Sequence, residues 1–234
     1  MKTTIQFLGH NAWLVRCDSA RGDSARILID PFLSTNPIAA LRAEEAEADF
    51  ILVSHGHADH LGDTVEIAKR TNAQVVAIAE ISGWLQNQGV AHTQSMNLGG
   101  SLLLPFGRVL MTPALHSSTL PDGSSGGSSA GFLLMLNGGT NLYFACDTAL
   151  FSDMRLIGDR GIHTAFLPIG DRYTMGPSDA LEAVRLLRAQ NAVPCHYDTW
   201  SIIRQDAGAW KAHVEAQTTT KVFVAAPGAA WELD

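Results

Sequence analysis

Phe50–Thr71 reads FILVSHGHADHLGDTVEIAKRT, and this stretch decides how the chain is organised. FILVS is an apolar run of strand length, and LGDTVEIAKR carries apolar residues at helical spacing with a basic pair near its end. The polar segment between them, His55-Gly56-His57-Ala58-Asp59-His60, therefore occupies a strand-to-helix turn. Two histidines separated by one small residue can face a common ion from an extended turn. The following Asp-His pair, held at the helix start, can face a second ion. Gly56 is read as permitting the close backbone approach that two adjacent metal shells require.

Outward from this turn, other metal-type or charged residues stand where apolar strands stop. Asp30 follows RILI, His116 follows VLMTPAL, Asp147 follows NLYFAC and His196 follows AVPC. Strand ends at one edge of a packed scaffold are where sites are commonly assembled. Cys146 and Cys195 precede two of these residues, so strand alternation directs them away from the site and into the core.

The remaining elements alternate strand and helix with no linker between them. TTIQFLG, AWLVRC and ARILID read as strands, residues 38–49 as a helix with a thin apolar face, and QVVAIA as a strand followed by a helix over 80–88. LLLPFGRVLMTPAL splits into two strands at Pro105 and Gly107, and residues 131–146 form a hairpin turning at Asn137-Gly138-Gly139. A short helix near 153–157, a strand HTAFLPIG, a helix over 178–190, a strand NAVPCH, a helix DAGAWKAHVEAQ and a strand KVFVAA complete the chain. No sequence repeat is visible, and residues 1–234 read as one domain of packed sheets covered by helices. Residues 117–131, SSTLPDGSSGGSSAG, are too polar and glycine-rich to pack, which predicts a mobile loop, either a solvated connection or a lid over His116.

The chain has 234 residues, 46% hydrophobic and 17% charged, an ordinary globular balance. Its formal net charge of −7, without a basic cluster, argues against a nucleic-acid partner. No segment has the length of a membrane span, the N-terminal MKTTIQFLGH lacks the apolar run of a secretory signal, and Cys17, Cys146 and Cys195 show no paired spacing. These features point to a reducing cytoplasm.

The HxHxDH motif with later His116, Asp147 and His196 resembles the metallo-β-lactamase superfamily, over nearly the whole chain. LGHNAW, DPFLSTNP, LHSS and PIGDRYTMGP are similar to a branch of uncharacterised metal-dependent hydrolases related to ascorbate-6-phosphate lactonases and N-acylphosphatidylethanolamine phospholipases. The resemblance implies an α/β (α+β) fold, an αββα four-layer sandwich with two mixed sheets flanked by helices. It also implies the ligand sets: His55, His57 and His116 on one ion, Asp59, His60 and His196 on the other, with Asp147 bridging. Classical β-lactamases carry a cysteine where this chain would use Asp147.

On this reading two divalent ions hold a bridging hydroxide that attacks a small ester, lactone or phosphodiester, and an anionic group is tolerated near the metals. Imidazole-rich mixed sites suit Zn, while Mn, Fe, Co and Ni are compatible with them. Asp59 is expected to orient the hydroxide and accept its proton. Asp30 is expected to fix a ligand histidine through its ring N–H, and His10 to touch a ligand or the substrate. Tyr197 reads either as a hydrogen-bond donor to developing charge or as a core residue. A homo-oligomer is compatible with all of this. Two rivals remain, a di-iron oxidoreductase on the same scaffold and a metal-binding protein without turnover. The first usually carries Glu where this chain has His57, along with a flavin-binding domain.

Overall fold

A computed structural model describes residues 3–20 and 22–233. Six strands come first: β1 (Thr3–Gly9), β2 (Ala12–Asp18), β3 (Ser24–Ile29), β4 (Phe50–Leu52), β5 (Gln74–Ile78) and β6 (Thr93–Met96). Eight follow: β7 (Ser101–Leu104), β8 (Gly107–Pro113), β9 (Ala130–Leu136), β10 (Asn141–Phe144), β11 (Thr164–Pro168), β12 (Asn191–Cys195), β13 (Lys221–Val222) and β14 (Ala230–Leu233). They form two seven-stranded sheets, ordered β14-β1-β2-β3-β4-β5-β6 and β13-β12-β11-β10-β9-β8-β7. In each sheet three neighbouring pairs are antiparallel and three are parallel, so the halves share a plan that no sequence repeat announces.

Helices α1 (Ala58–Leu61), α2 (Thr64–Thr71) and α3 (Ala79–Asn87) accompany the first sheet. Helices α4 (Met154–Gly158), α5 (Pro177–Leu187) and α6 (Ala207–Gln217) cover the second. Strand alternation assigns the faces of the second sheet. Phe132, Leu134, Phe144 and Phe166 enter the large apolar core shared with the first sheet. Leu133, Tyr143, Ala165 and Leu167 point the other way, into a second core with Ile157, Val184, Leu187 and Trp210 of α4, α5 and α6. Trp13 fills the space between the sheets, its ring 4.5 Å from Phe7 and 4.6 Å from Phe166. Two mixed sheets flanked by helices are the αββα sandwich expected above. No helix among the described residues is long and apolar enough to cross a membrane.

Three expectations need correction. Residues 38–49 are not a helix; only Ala43–Glu45 makes a single 3₁₀ turn. Ala43, Ala46 and Ala48 are buried there, too small and too unevenly spaced to form a helical stripe, and Arg70 of α2 donates to the Ala43 and Ala46 carbonyls. The 117–131 segment packs more than its composition suggests. Thr119 pairs with Ser125, Leu120 is buried, and Trp84 Nε1 donates to Asp122 Oδ2 at 2.9 Å. Gly56 does serve a close approach, but to this segment: a Cβ there would lie 3.1 Å from the Thr119 carbonyl oxygen, and Gly56 N donates to Ser118 Oγ at 3.0 Å. β6 and β14 are additional strands that the sequence reading did not anticipate.

Candidate metal centre

Strand direction explains why residues so far apart in sequence meet. β1, β3 and β4 run one way in the first sheet, and β8, β10, β11 and β12 run together in the second. Their C-terminal ends carry His10, Asp30, the His55–His60 turn, His116, Asp147 and His196. Four of the turning points adopt left-handed backbone without being glycine: His10 at φ 59°, Asp30 at 44°, Cys146 at 54° and His196 at 52°. Such backbone is uncommon outside glycine and clusters where side chains must be aimed.

The structure brings together all seven expected ligands. Donor atoms of His55, His57 and His116 lie within 4.8 Å of one another, as do those of His55, His60 and Asp147, and those of Asp59, His60, His196 and His10. Asp147 Oδ2 lies 3.3 Å from His60 Nε2, 3.5 Å from His116 Nε2 and 3.1 Å from His196 Nε2, in the middle of the set. These are approaches without hydrogen-bond alignment: His60 Nε2, both His196 ring nitrogens and Asp147 Oδ1 are buried with no hydrogen-bond partner. Leaving such atoms unmatched is costly, and converging lone pairs are what a cation matches. By that criterion the residues fit a metal centre.

Asp30, fully buried, organises the ligands from behind. Its carboxylate accepts from His60 Nδ1 at 2.8 Å, Asn11 Nδ2 at 2.9 Å, Ser54 N at 2.8 Å and Ser54 Oγ at 2.6 Å. Because Ser54 Oγ–H is given to Asp30, its lone pair receives the His55 Nδ1–H at 3.0 Å. Both histidines are thereby fixed with Nδ1 protonated and Nε2 facing the centre.

His10 plays a different part from the seven. Its Nε2 is 3.2 Å from Asp59 Oδ2 and its Nδ1 is 2.7 Å from Thr199 Oγ1. Burial and the neighbouring His196 lower its pKa to about 4, so the ring is neutral. Since a carboxylate only accepts, the Nε2–H is donated to Asp59 and Nδ1 accepts from Thr199, leaving no lone pair for a metal. Tyr197 is not brought to the cluster. It is half-buried, packs against the second core and lines a cleft with Phe7, Ile38 and Val224. Cys146 and Cys195 are free, buried core thiols, and burial pushes both well above the ordinary cysteine range.

The protonation pattern follows from crowding. Burial opposes charge on His60, yet Asp147 and Asp30 outweigh it and hold the imidazole well above its ordinary value. Burial likewise opposes charge on Asp147, but His196 and His60 keep its carboxyl well below the usual range. Burial, and then the nearby His60, hold the His55 imidazole well below its ordinary value, in the neutral form a ligand needs. An entering cation, by contrast, would have to displace the proton that Asp147 and Asp30 favour on His60.

Asn11, Ser54, Thr199 and Trp200 were not singled out in the sequence. The Trp200 ring lies 5.0 Å from His10 and 6.1 Å from Phe32, and 38% of the residue is exposed. Asn11 and Ser54 adjoin His10 and His55, the one local signal that marks them.

Residues 25–197 match the beta-lactamase superfamily domain. A UPF0173 metal-dependent hydrolase of Pelotomaculum thermopropionicum is 43% identical over 234 residues, spanning 98% of this chain and 99% of that protein. A UPF0173 metal-dependent hydrolase of Thermus thermophilus is 48% identical over 206 residues, 88% of each. Among solved structures, Igni18, a metallo hydrolase of the archaeon Ignicoccus hospitalis, is similar with a TM-score of 0.90 and 35% identity, covering 100% of this chain and 99% of its own.

Proposed function

Since the chain belongs to the beta-lactamase superfamily and, within it, to the UPF0173 metal-dependent hydrolases, we propose that it hydrolyses a small ester, lactone or phosphodiester at a centre for two divalent cations. The observation that carries this reading is the convergence of seven imidazole and carboxylate donors whose buried His60, His196 and Asp147 atoms lack hydrogen-bond partners. His55, His57 and His116 would hold one ion and Asp59, His60 and His196 the other, with Asp147 between them. Five imidazoles and two carboxylates suit zinc, and Mn, Fe, Co or Ni could occupy the same donors. Bound there, the ions would supply an activated water at neutral pH and polarise the scissile oxygen.

The chain's own residues supply orientation. Asp59 is held below the ordinary aspartate range; burial opposes this, but the hydrogen bond from His10 and the nearby His60 outweigh it. It is therefore a carboxylate at any working pH, its Oδ2 oriented by His10 beside His60 and His196, and as a carboxylate it would accept a hydrogen from a water held there. Asp30 and Ser54 lock the His60 and His55 rings, so little reorganisation accompanies reaction. A net charge of −7 offers no extended basic groove for a polymer, which favours a small substrate, anionic groups being received at the metals.

Elemental analysis of zinc-reconstituted protein should find about two ions per chain. A panel of lactones, esters and phosphodiesters should then reveal turnover that His116→Ala and His196→Ala abolish without altering circular dichroism. Metal content near zero, or turnover that survives both substitutions, would overturn the reading.

A further inference from the structure

Beside the donor cluster lies a cleft of about 240 Å³ whose walls include Phe32, Thr35, Ala58, Leu61, Asp63 and Pro121. Its position follows from helix geometry. Ala58, Leu61 and Gly62 share one face of α1 and its end, while Asp59 and His60 are turned towards the other donors. The floor is tightly built, since a Cβ on Gly62, at φ +45°, would meet the Pro31 carbonyl oxygen at 2.4 Å. Phe32 belongs to both places: it lines the cleft, and its ring lies 5.7 Å from that of His10, the partner of Asp59. Pro121 brings the 117–131 segment in as the facing wall.

The chemistry of the lining selects what can enter. Phe32, Ala58, Leu61 and Pro121 are apolar, no Lys, Arg or His lines the cleft, and its one charged side chain is Asp63. Asp63 Oδ2 already accepts from Leu33 N at 2.8 Å and Ser34 N at 2.9 Å, so it pins the wall and repels anions. An anionic end of a substrate is thereby turned towards the donor cluster and a neutral end towards the cleft.

We propose that this cleft is a subsite for the non-reacting alkyl or acyl arm of the substrate. At about 30 Å³ per water-sized group, the space takes an unbranched arm of roughly six to eight carbons. The proposal rests on the hydrolase reading for where the reacting group sits, but occupancy of the cleft can be measured without turnover. Each methylene that enters should tighten binding about twofold to fourfold.

The test titrates zinc-loaded protein with acetate, butyrate, hexanoate and octanoate by calorimetry, and metal-free protein with ethanol and 1-hexanol by ligand-observed NMR. Wild type should bind hexanoate at least tenfold more tightly than acetate, and 1-hexanol more tightly than ethanol. Thr35 is exposed on the rim, so Thr35→Trp, which fills the cleft, and Thr35→Asp, which charges it, should fold normally. Both should abolish the dependence on chain length while zinc content and acetate affinity stay unchanged. Affinities flat in chain length for wild type, no measurable binding of hexanoate and 1-hexanol, or a slope that persists in both variants would overturn the subsite. Failure of the hydrolase reading would register separately, as missing zinc or missing turnover, with the 1-hexanol comparison still decisive.

Discussion

Asp30 accepts four hydrogen bonds with no exposure to solvent, and two of them lead to His60 and, through Ser54, to His55. Asp30→Asn would set an amide N–H against groups that are themselves donors. Zinc affinity should fall about 10- to 100-fold, and stability by about 2–3 kcal/mol. Competition with a chromophoric chelator and denaturant unfolding measure the two losses. Unchanged zinc affinity in a folded variant would confine Asp30 to a purely architectural part. His55, His57, Asp59 and His60 were legible as one dense motif in a strand-to-helix turn, and His116, Asp147, His196 and Asp30 because each follows directly on an apolar strand. Thr199 was not legible, since hydroxyls are common and nothing local ties residue 199 to residue 10. The left-handed backbone at His10, Asp30, Cys146 and His196 was equally hidden, because none of these positions carries the glycine that would announce it.

At the scale of elements, the parallel β3–β4 pair is clamped by Arg26 and Asp49. Asp49 Oδ2 accepts from Arg26 N at 2.8 Å and Nε at 3.1 Å, and Oδ1 accepts the second guanidinium arm at 2.8 Å. The Arg26 hydrogen bonds outweigh the opposing effect of burial and hold the Asp49 carboxyl below its ordinary 3.8. A depressed carboxyl contributes stability above that ordinary value and loses it as pH falls through the folded one. With both side chains 37% exposed, screening limits the contribution to about 1 kcal/mol. Asp49→Asn should therefore cost about that much at pH 7 and progressively less below pH 3.8, as urea unfolding at both ends of the range would show. An equal cost at every pH would mean the loss is one of shape and not of charge. Elements with their own periodicity and turn chemistry, such as the β9–β10 hairpin at Asn137-Gly138-Gly139, were readable in advance. Residues 38–49 were not, because alanine and glutamate favour a helix locally while Arg70, distant in sequence, binds the carbonyls of Ala43 and Ala46. β14 was missed because AWEL is short and only half-buries Trp231 and Leu233 once it lies along β1.

For the molecule as a whole, the apolar cores and the donor cluster are separable. The cores lie between and behind the sheets, whereas the cluster occupies one edge and leaves buried polar atoms unmatched. Chelator-treated protein should remain folded but melt lower. A ligand at about 100 times its Kd stabilises by about 2.7 kcal/mol per site, and a chain of this size gains roughly 2–4 °C per kcal/mol. Calorimetry should show a drop of about 5–10 °C for each ion lost, reversed by zinc. An unchanged melting temperature would separate metal binding from folding altogether.

The β1–β14 pairing places Thr3 opposite Leu233. A ribosome delivers β1 before, and β14 after, every other strand of the two sheets, so the first sheet keeps an open margin while the rest of both is made. That margin offers a row of unpaired backbone donors and acceptors to any passing strand. Closure waits for Ala230–Leu233 to lie along it, and until then β1 is an edge strand open to mispairing.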